Sequence, residues 1–394
     1  MALVGALGMT KAPAMSFDLR RPNCFVIDLQ VIADNARTIR ARIGPHARFI
    51  ATIKADAYGF GLLPVAQTVL ANGADSLSVV RLEDAMALRE AGITCPILLY
   101  AGYVMGADYV REVEVHGLTP TVHDRHSLNM LAQSSRGRIG CAIKVDCGQE
   151  RLGVPAEELA NVVRIVSASG NLRLDLINTH PHVIDGNDAH LRWQFERFVR
   201  ACDAARPHFA APPPALIFAS SRVLVDGSDM VMSGVDPGQA LFQLPKGLAP
   251  PGAADRTPFT ALTSRLIHVF DVKRAAYAEL APVPTRPGSR IGIVPIGYGD
   301  GLTRLNAGAA LVCGKRVPVQ GPPSVEYARL DLSDCRDAIV GDEVAFVGRQ
   351  GEACITPQDA MRYTDTTRVT TLAMQVGQAI PQLYLQAGNK EPAR

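Results

Sequence analysis

The stretch CAIKVDCGQERLGVPAEELANVVRIVSASGNLRLDLINTH, residues 141–180, decides the architecture. Residues 141–146 form a short apolar and β-branched run, 156–169 have helical period, and 172–180 form a second such run. A strand, a crossover helix and another strand make a βαβ unit, and such units generate parallel sheets. The same alternation extends outward from about residue 24 to 240, with further strands predicted at 49–54, 76–80, 96–100, 118–123, 215–220 and 230–235. Among the helices, 82–91 places Leu82, Ala85, Met86, Leu88 and Ala91 opposite a polar face of Glu83, Asp84, Arg89 and Glu90, and 189–205 is the longest. Eight strands each followed by a helix predict a closed (β/α)8 TIM barrel, whose chemistry sits at the carboxyl ends of the strands. A doubly wound sheet would need a Gly-rich phosphate turn after an early strand, and none is present.

The texture changes near residue 250, where 248–258 are rich in Pro, Gly and Ala and read as a linker. Beyond it, runs at 266–272, 291–296, 309–319, 325–332 and 342–347 are separated by Gly, Pro and Asp turns, and only 357–363 has helical character. The expected division is a barrel domain over 1–257 and a mostly β domain over 258–394. Residues before about 24, and an early strand at 24–28, are expected to pair with the β domain. With 40 basic and 38 acidic side chains the formal charge is +2, which gives no electrostatic footprint for nucleic acid. Eight cysteines show no Cys-x-x-Cys pair and no zinc spacing, and His182 and His190 have no companion carboxylate, so no disulfide framework or metal site is expected. Residues 1–9 lack a basic start, and the uncharged stretch 369–389 is broken by Gln, Gly and Pro, so neither a signal peptide nor a membrane span is expected. These features predict a cytoplasmic protein acting on small molecules.

Lys54 closes an apolar run in Ile53-Lys54-Ala55-Asp56-Ala57-Tyr58-Gly59-Phe60-Gly61. By itself such a lysine is either held on a barrel rim by a carboxylate or, with burial lowering its pKa, used as an amine nucleophile. The words Lys-Ala-Asp-Ala-Tyr-Gly-x-Gly resemble the pyridoxal-phosphate (PLP) lysine motif of the alanine racemase family. Further matches follow in order: Val26-Ile27-Asp28-Leu29 with Asn35; Leu82-Glu83-Asp84-Ala85 through Ile93 and Pro96-Ile97-Leu98; Lys144-Val145-Asp146-Cys147-Gly148-Gln149-Glu150-Arg151-Leu152-Gly153; Thr179-His180; and Gly297-Tyr298-Gly299-Asp300-Gly301 with Arg304. The matches span nearly the whole chain.

The resemblance implies a fold type III PLP enzyme, a racemase of amino acids working as a head-to-tail homodimer. Lys54 would carry the cofactor and act as one base, with Tyr58 on its phosphate. Tyr298, which alone could be a mere surface anchor in a Gly-rich turn, would be the second acid/base, brought from the partner subunit to the opposite face; inversion of a stereocentre needs such a pair. Arg151 would clamp a carboxylate or steady a phenolate. Lys144 stands where some relatives carry a carbamylated lysine that orients this arginine, and His180 would lie beside the cofactor ring. Ser221 corresponds to a phosphate hydroxyl, and Gly238 and Gln239 to amides meeting the phosphate.

The chain also departs from the family. Where Val-Arg-Pro-Gly-Ile is expected, Val235-Asp236-Pro237-Gly238-Gln239 stands. The racemases' arginine keeps the pyridine nitrogen largely unprotonated; a carboxylate would pair with a protonated ring and make a stronger electron sink. Val325-Glu326 replaces Met-Asp, leaving the Val325 amide to bind substrate carboxylate, and Thr370 stands at the place of a phosphate-binding tyrosine. Other Cα chemistry, by a decarboxylase or aldolase, and a non-catalytic PLP-binding protein are therefore the alternatives to a racemase.

Overall fold

The structure, a computed structural model, describes residues 21–101, 104–184, 187–218, 221–226, 228–253, 255–273, 287–302, 308–364, 366–386 and 389–393. Of the quoted motif positions, Arg304 lies outside the described residues. The chain forms two compact units: residues 25–260 with 365–394, and residues 261–364 with the chain up to Cys24.

In the first unit eight parallel strands stand in the neighbour order Arg48–Thr52, Ser76–Val79, Ile97–Leu99, Thr119–Val122, Ile139–Asp146, Leu172–Thr179, Ala215–Phe218 and Gly234–Val235. The last pairs with the first through Gly234 and Arg48. Ser233 closes the remaining gap, its N–H donating to the Leu216 carbonyl and its hydroxyl accepting from the Leu216 N–H, each at 2.9 Å. The predicted barrel is therefore present, although its last strand is only Gly234–Val235 and Met230, predicted to begin it, ends a 3-10 turn.

Alternation along the strands sorts the side chains. On Ile139–Asp146, Cys141, Ile143 and Val145 face outward and pack with Val163 and Val166 of helix Leu159–Ala168 and Phe198 and Ala201 of helix Asp188–Ala205. Ala142 faces inward, joining Ile50, Leu98, Leu176, Ala215 and Ile217 in an apolar plug. Burying each large aliphatic side chain is worth roughly 1.5–3 kcal/mol, so these two layers hold the barrel.

The last part of the chain differs from the expectation of a single helix after residue 350. Pro357–Thr364 is helical, and so is Val369–Gly377, whose Val369, Leu372, Ala373 and Val376 form a buried stripe three and four apart. Two threonines and a glycine in this segment obscured that period. The strand Gln382–Gln386 follows and pairs in parallel with Cys24–Asp28. Both segments after residue 365 pack within the barrel unit.

The second unit is mostly β. Phe259–Arg265, Glu343–Gln350, Ala309–Val312 and Lys315–Pro318 form antiparallel pairs, as do His268–Asp271, Arg290–Val294 and Ala328–Asp331. The run predicted at 309–319 is a hairpin folded at Cys313 and Gly314, both with positive φ. Asn23 joins this unit, donating to the Pro295 carbonyl at 2.8 Å and accepting from the Ser264 hydroxyl at 2.7 Å. Among the described residues no helix is long and apolar enough to cross a membrane.

Candidate active site

Two residues beyond the apolar plug, on the same inward faces, the barrel becomes polar. Ile50 is succeeded by Thr52, Leu98 by Tyr100, Ala142 by Lys144 and Leu176 by Asn178; Ser78 and Asp236 complete the layer. The Thr52 hydroxyl lies 2.8 Å from that of Ser78 and donates to the Asp236 carbonyl at 3.1 Å. The Tyr100 hydroxyl donates to Oδ2 of Asp236. Oδ1 of Asp236 is buried and has no hydrogen-bond partner, and both side-chain polar atoms of Asn178 are in the same condition.

Burial sets the electrostatics of this layer. It pushes the Asp236 carboxyl up to about 6, against the Tyr100 hydrogen bond and the charges of Lys144 and Lys54. It lowers Lys144 to about 8, an effect the Asp236 charge opposes and Arg151 reinforces. Lys54 is lowered by burial and then by Arg151, with Asp236 opposing. Four predicted site residues, Lys54, Lys144, Arg151 and Asp236, therefore act on one another at one end of the barrel.

Lys54 opens an unusual turn. Ala55, Asp56, Ala57 and Tyr58 all have φ between 51° and 57°, a single left-handed helical turn built without glycine. Each such residue costs roughly 1–2 kcal/mol, so the surroundings must hold the turn in place. Asp56 accepts from the Leu62 N–H at 2.7 Å, and the Gly59 carbonyl accepts from Gln382 at 3.0 Å. Helix Val369–Gly377 lies so close that a Cβ on Gly377 would overlap the Gly59 carbonyl. Tyr58 is fixed against Phe242, ring centroids 5.3 Å apart, and burial pushes its hydroxyl up to about 12, with Asp236 adding to this and Arg368 opposing. Its hydroxyl occupies the space a Cβ on Gly238 would take, and Gly238 opens the short turn Gln239–Leu241. The predicted phosphate residues Tyr58, Gly238 and Gln239 are therefore neighbours.

Arg151 is placed by Asp146. One carboxylate oxygen accepts from the amides of Gly148, Gln149 and Glu150 at 2.9, 2.9 and 3.2 Å, the other from Arg151 at 3.2 Å. Burial works against this charge, yet the amides outweigh it and hold the carboxyl below its usual range. Gly153 has φ +141°, and a Cβ there would lie 2.6 Å from the Asp146 nitrogen, so the turn requires glycine. His180 follows the strand Leu172–Thr179, exposed, and Ser221 lies half-buried past Ala215–Phe218.

Tyr298 and Val325 belong to the second unit, and there the fold brings them together. The Tyr298 N–H donates to the Ser324 carbonyl at 3.0 Å and that of Gly299 to the Val325 carbonyl at 2.9 Å. Asp300 accepts from the Gly297 N–H at 2.9 Å and is gripped by both terminal nitrogens of Arg21, at 3.0 and 2.9 Å. Tyr298 is 47% and Val325 50% exposed. Sequence reasoning missed Tyr100, Asn178 and Arg21. For the first two the available signal was strand alternation, each lying two residues past an inward apolar residue; Arg21 had none.

Residues 27–245 match the family described as alanine racemase, N-terminal domain, and 260–384 that described as alanine racemase, C-terminal domain. The alanine racemase of Methanococcus maripaludis is 31% identical over 367 residues, covering 91% of this chain and 97% of its own length. That of Desulfovibrio desulfuricans is 32% identical over 387 residues, covering 94% and 100%. The crystal structure of the alanine racemase from E. faecalis, 28% identical, superposes with a TM-score of 0.82 over 94% of this chain and all of that one. With both family domains matched and relatives above 30% identity aligned nearly end to end, the chain belongs to the alanine racemase family.

Proposed function

We propose that the chain, a racemase by family, inverts the α-carbon of an amino acid by proton transfer on two opposite faces, with pyridoxal 5'-phosphate as cofactor. The observation that carries this reading is Oδ1 of Asp236, a buried carboxylate oxygen without a donor. Such an atom is costly unless a ligand supplies one, and a protonated pyridine nitrogen does. The other residues fit the same group: Lys54 offers an amine, and Tyr58, Ser221, Gly238 and Gln239 offer donors for a phosphate. When bound, the cofactor supplies the electron sink that acidifies the Cα–H bond.

The protein's own groups do the rest. Lys54 holds the cofactor and exchanges the proton on one face; burial and the Arg151 charge favour its free amine, the form that takes a proton. Tyr298, from the second copy of a head-to-tail homodimer, exchanges the proton on the other face, and its exposure leaves the hydroxyl open to substrate. The Val325 amide, on the loop tied to Tyr298, and the Arg151 guanidinium bind the substrate carboxylate. His180 sits beside the ring, and Lys144, carbamylated, orients Arg151. In this reading the barrel domain carries the cofactor and the β domain the second base. A reducing, cytoplasmic setting suits the eight cysteines, all unpaired.

Asp236, a carboxylate at the family's arginine position, favours a second reading: decarboxylation or aldol cleavage at Cα. The test incubates the protein and PLP with a panel of amino acids in D2O, following α-deuterium uptake, chirality and released CO2. Exchange with inversion is expected. CO2 release without inversion would replace the racemase by the second reading, and PLP binding without exchange of any amino acid would leave a binding protein.

A further inference from the structure

The barrel interior contains a hydroxyl that the mechanism above does not use. Tyr100 directly follows the strand Ile97–Leu99 and packs against the apolar plug. Its hydroxyl donates to Oδ2 of Asp236, while Thr52, on another strand, donates to the Asp236 carbonyl at 3.1 Å and is itself met by Ser78 at 2.8 Å. The main chain of Asp236 and one of its carboxylate oxygens are thus each fixed by a hydroxyl from a different strand. The remaining oxygen is buried and unpartnered. Rotation about the terminal torsion of an aspartate is soft, so a carboxylate with neither oxygen tied would turn freely. With Oδ2 tied, the direction in which Oδ1 accepts is set by the fold.

We propose that Tyr100 is the positioning residue for Asp236: by holding Oδ2 it aims Oδ1 at the ring nitrogen of the bound cofactor. This rests on the reading that Asp236 faces that nitrogen. Tyr100 therefore acts on the reaction only through the carboxylate.

The test measures a preference for the ring nitrogen itself. The full chain, freed of cofactor, is titrated with PLP and with 1-deaza-PLP, in which C–H replaces that nitrogen, and the ratio of the two dissociation constants is read. The wild-type chain should favour PLP by about tenfold or more, as expected of a hydrogen bond to a charged group. Asp236→Ala should bring the ratio close to one. Tyr100→Phe should cut it by about threefold or more, with affinity for 1-deaza-PLP unchanged, whereas a purely structural role would weaken both ligands equally. A wild-type ratio in Tyr100→Phe, beside a collapsed ratio in Asp236→Ala, overturns the role of Tyr100 and leaves that of Asp236 standing. An unchanged ratio in Asp236→Ala sinks both. Should Tyr100→Phe not fold, Tyr100→Met, which also lacks the hydroxyl, takes its place.

Discussion

Replacing Asp236 by asparagine keeps the shape of the side chain and the oxygen that Tyr100 donates to, removes the charge, and puts an NH2 in place of Oδ1. Burial raises the Asp236 carboxyl from the usual range near 4 to about 6. A carboxyl raised in the folded state binds its proton more tightly there than in the unfolded chain, so stability falls as pH rises between those two values. At about 1.36 kcal/mol per pKa unit, the cofactor-free protein loses about 3 kcal/mol between pH 4 and pH 7, and Asp236→Asn does not. The Tyr100 hydrogen bond is already contained in the value of about 6, but the buried NH2 in place of Oδ1 has no acceptor and offsets about 1 kcal/mol, leaving a net gain of about 2 kcal/mol for the variant at neutral pH. The assay is urea unfolding at a series of pH values. Trp193, the only tryptophan, lies in the barrel unit and stacks on His190 with ring centroids 5.8 Å apart, so its fluorescence reports this unit. If both chains show the same pH dependence, the carboxylate is not held in the low-dielectric environment that the fold gives it. Saturating PLP should abolish the difference, because a donor at Oδ1 restores the charged form.

Other expected outcomes are more local. Lys54→Ala should eliminate covalent retention of PLP, measured by absorbance after gel filtration, while Tyr298→Phe should retain PLP and lose about 100-fold or more in exchange from one enantiomer only; equal loss with both enantiomers would remove Tyr298 from its role. Ala55→Gly should stabilise the cofactor-free chain by about 1 kcal/mol by relieving one left-handed residue, read as a raised urea midpoint. Gly377→Ala should cost about 1–3 kcal/mol by driving a methyl group into the Gly59 carbonyl, and an unchanged midpoint would show that helix Val369–Gly377 does not brace the turn. Arg21→Ala leaves the buried Asp300 without its guanidinium and should lower turnover through the Tyr298 loop, with a stability cost of about 1–3 kcal/mol.

The barrel was legible because its strands obey a period of two over a continuous stretch. Ile143 and Val145 must face helices while Ala142 faces the interior, and sequence alone states this. The words around Lys54, Arg151 and Tyr298 were legible through their resemblance to the family's motifs, not from the residues alone. Tyr100 and Asn178 were missed although strand alternation turns both inward, since alternation does not say which inward polar residue near a strand end bears on chemistry. The left-handed turn was also hidden: alanine, aspartate and tyrosine do not favour it, and its support comes from residues 373–382, more than three hundred positions away. For the same reason the return of the chain after residue 365 to the barrel unit could not be read from its composition.

That return gives the protein a temporal constraint. The strand Cys24–Asp28 is made well before its parallel partner Gln382–Gln386. At elongation rates of about 5–20 residues per second, roughly 350 residues of synthesis separate them, a wait of roughly 20–70 s. The brace on the Lys54 turn arrives equally late, through Ala373, Gly377 and Gln382. A nascent chain therefore lacks the brace on this left-handed turn until residues 373–382 have been made. A chain cut short before residue 373 would carry all eight barrel strands and still leave the turn after Lys54 unbraced.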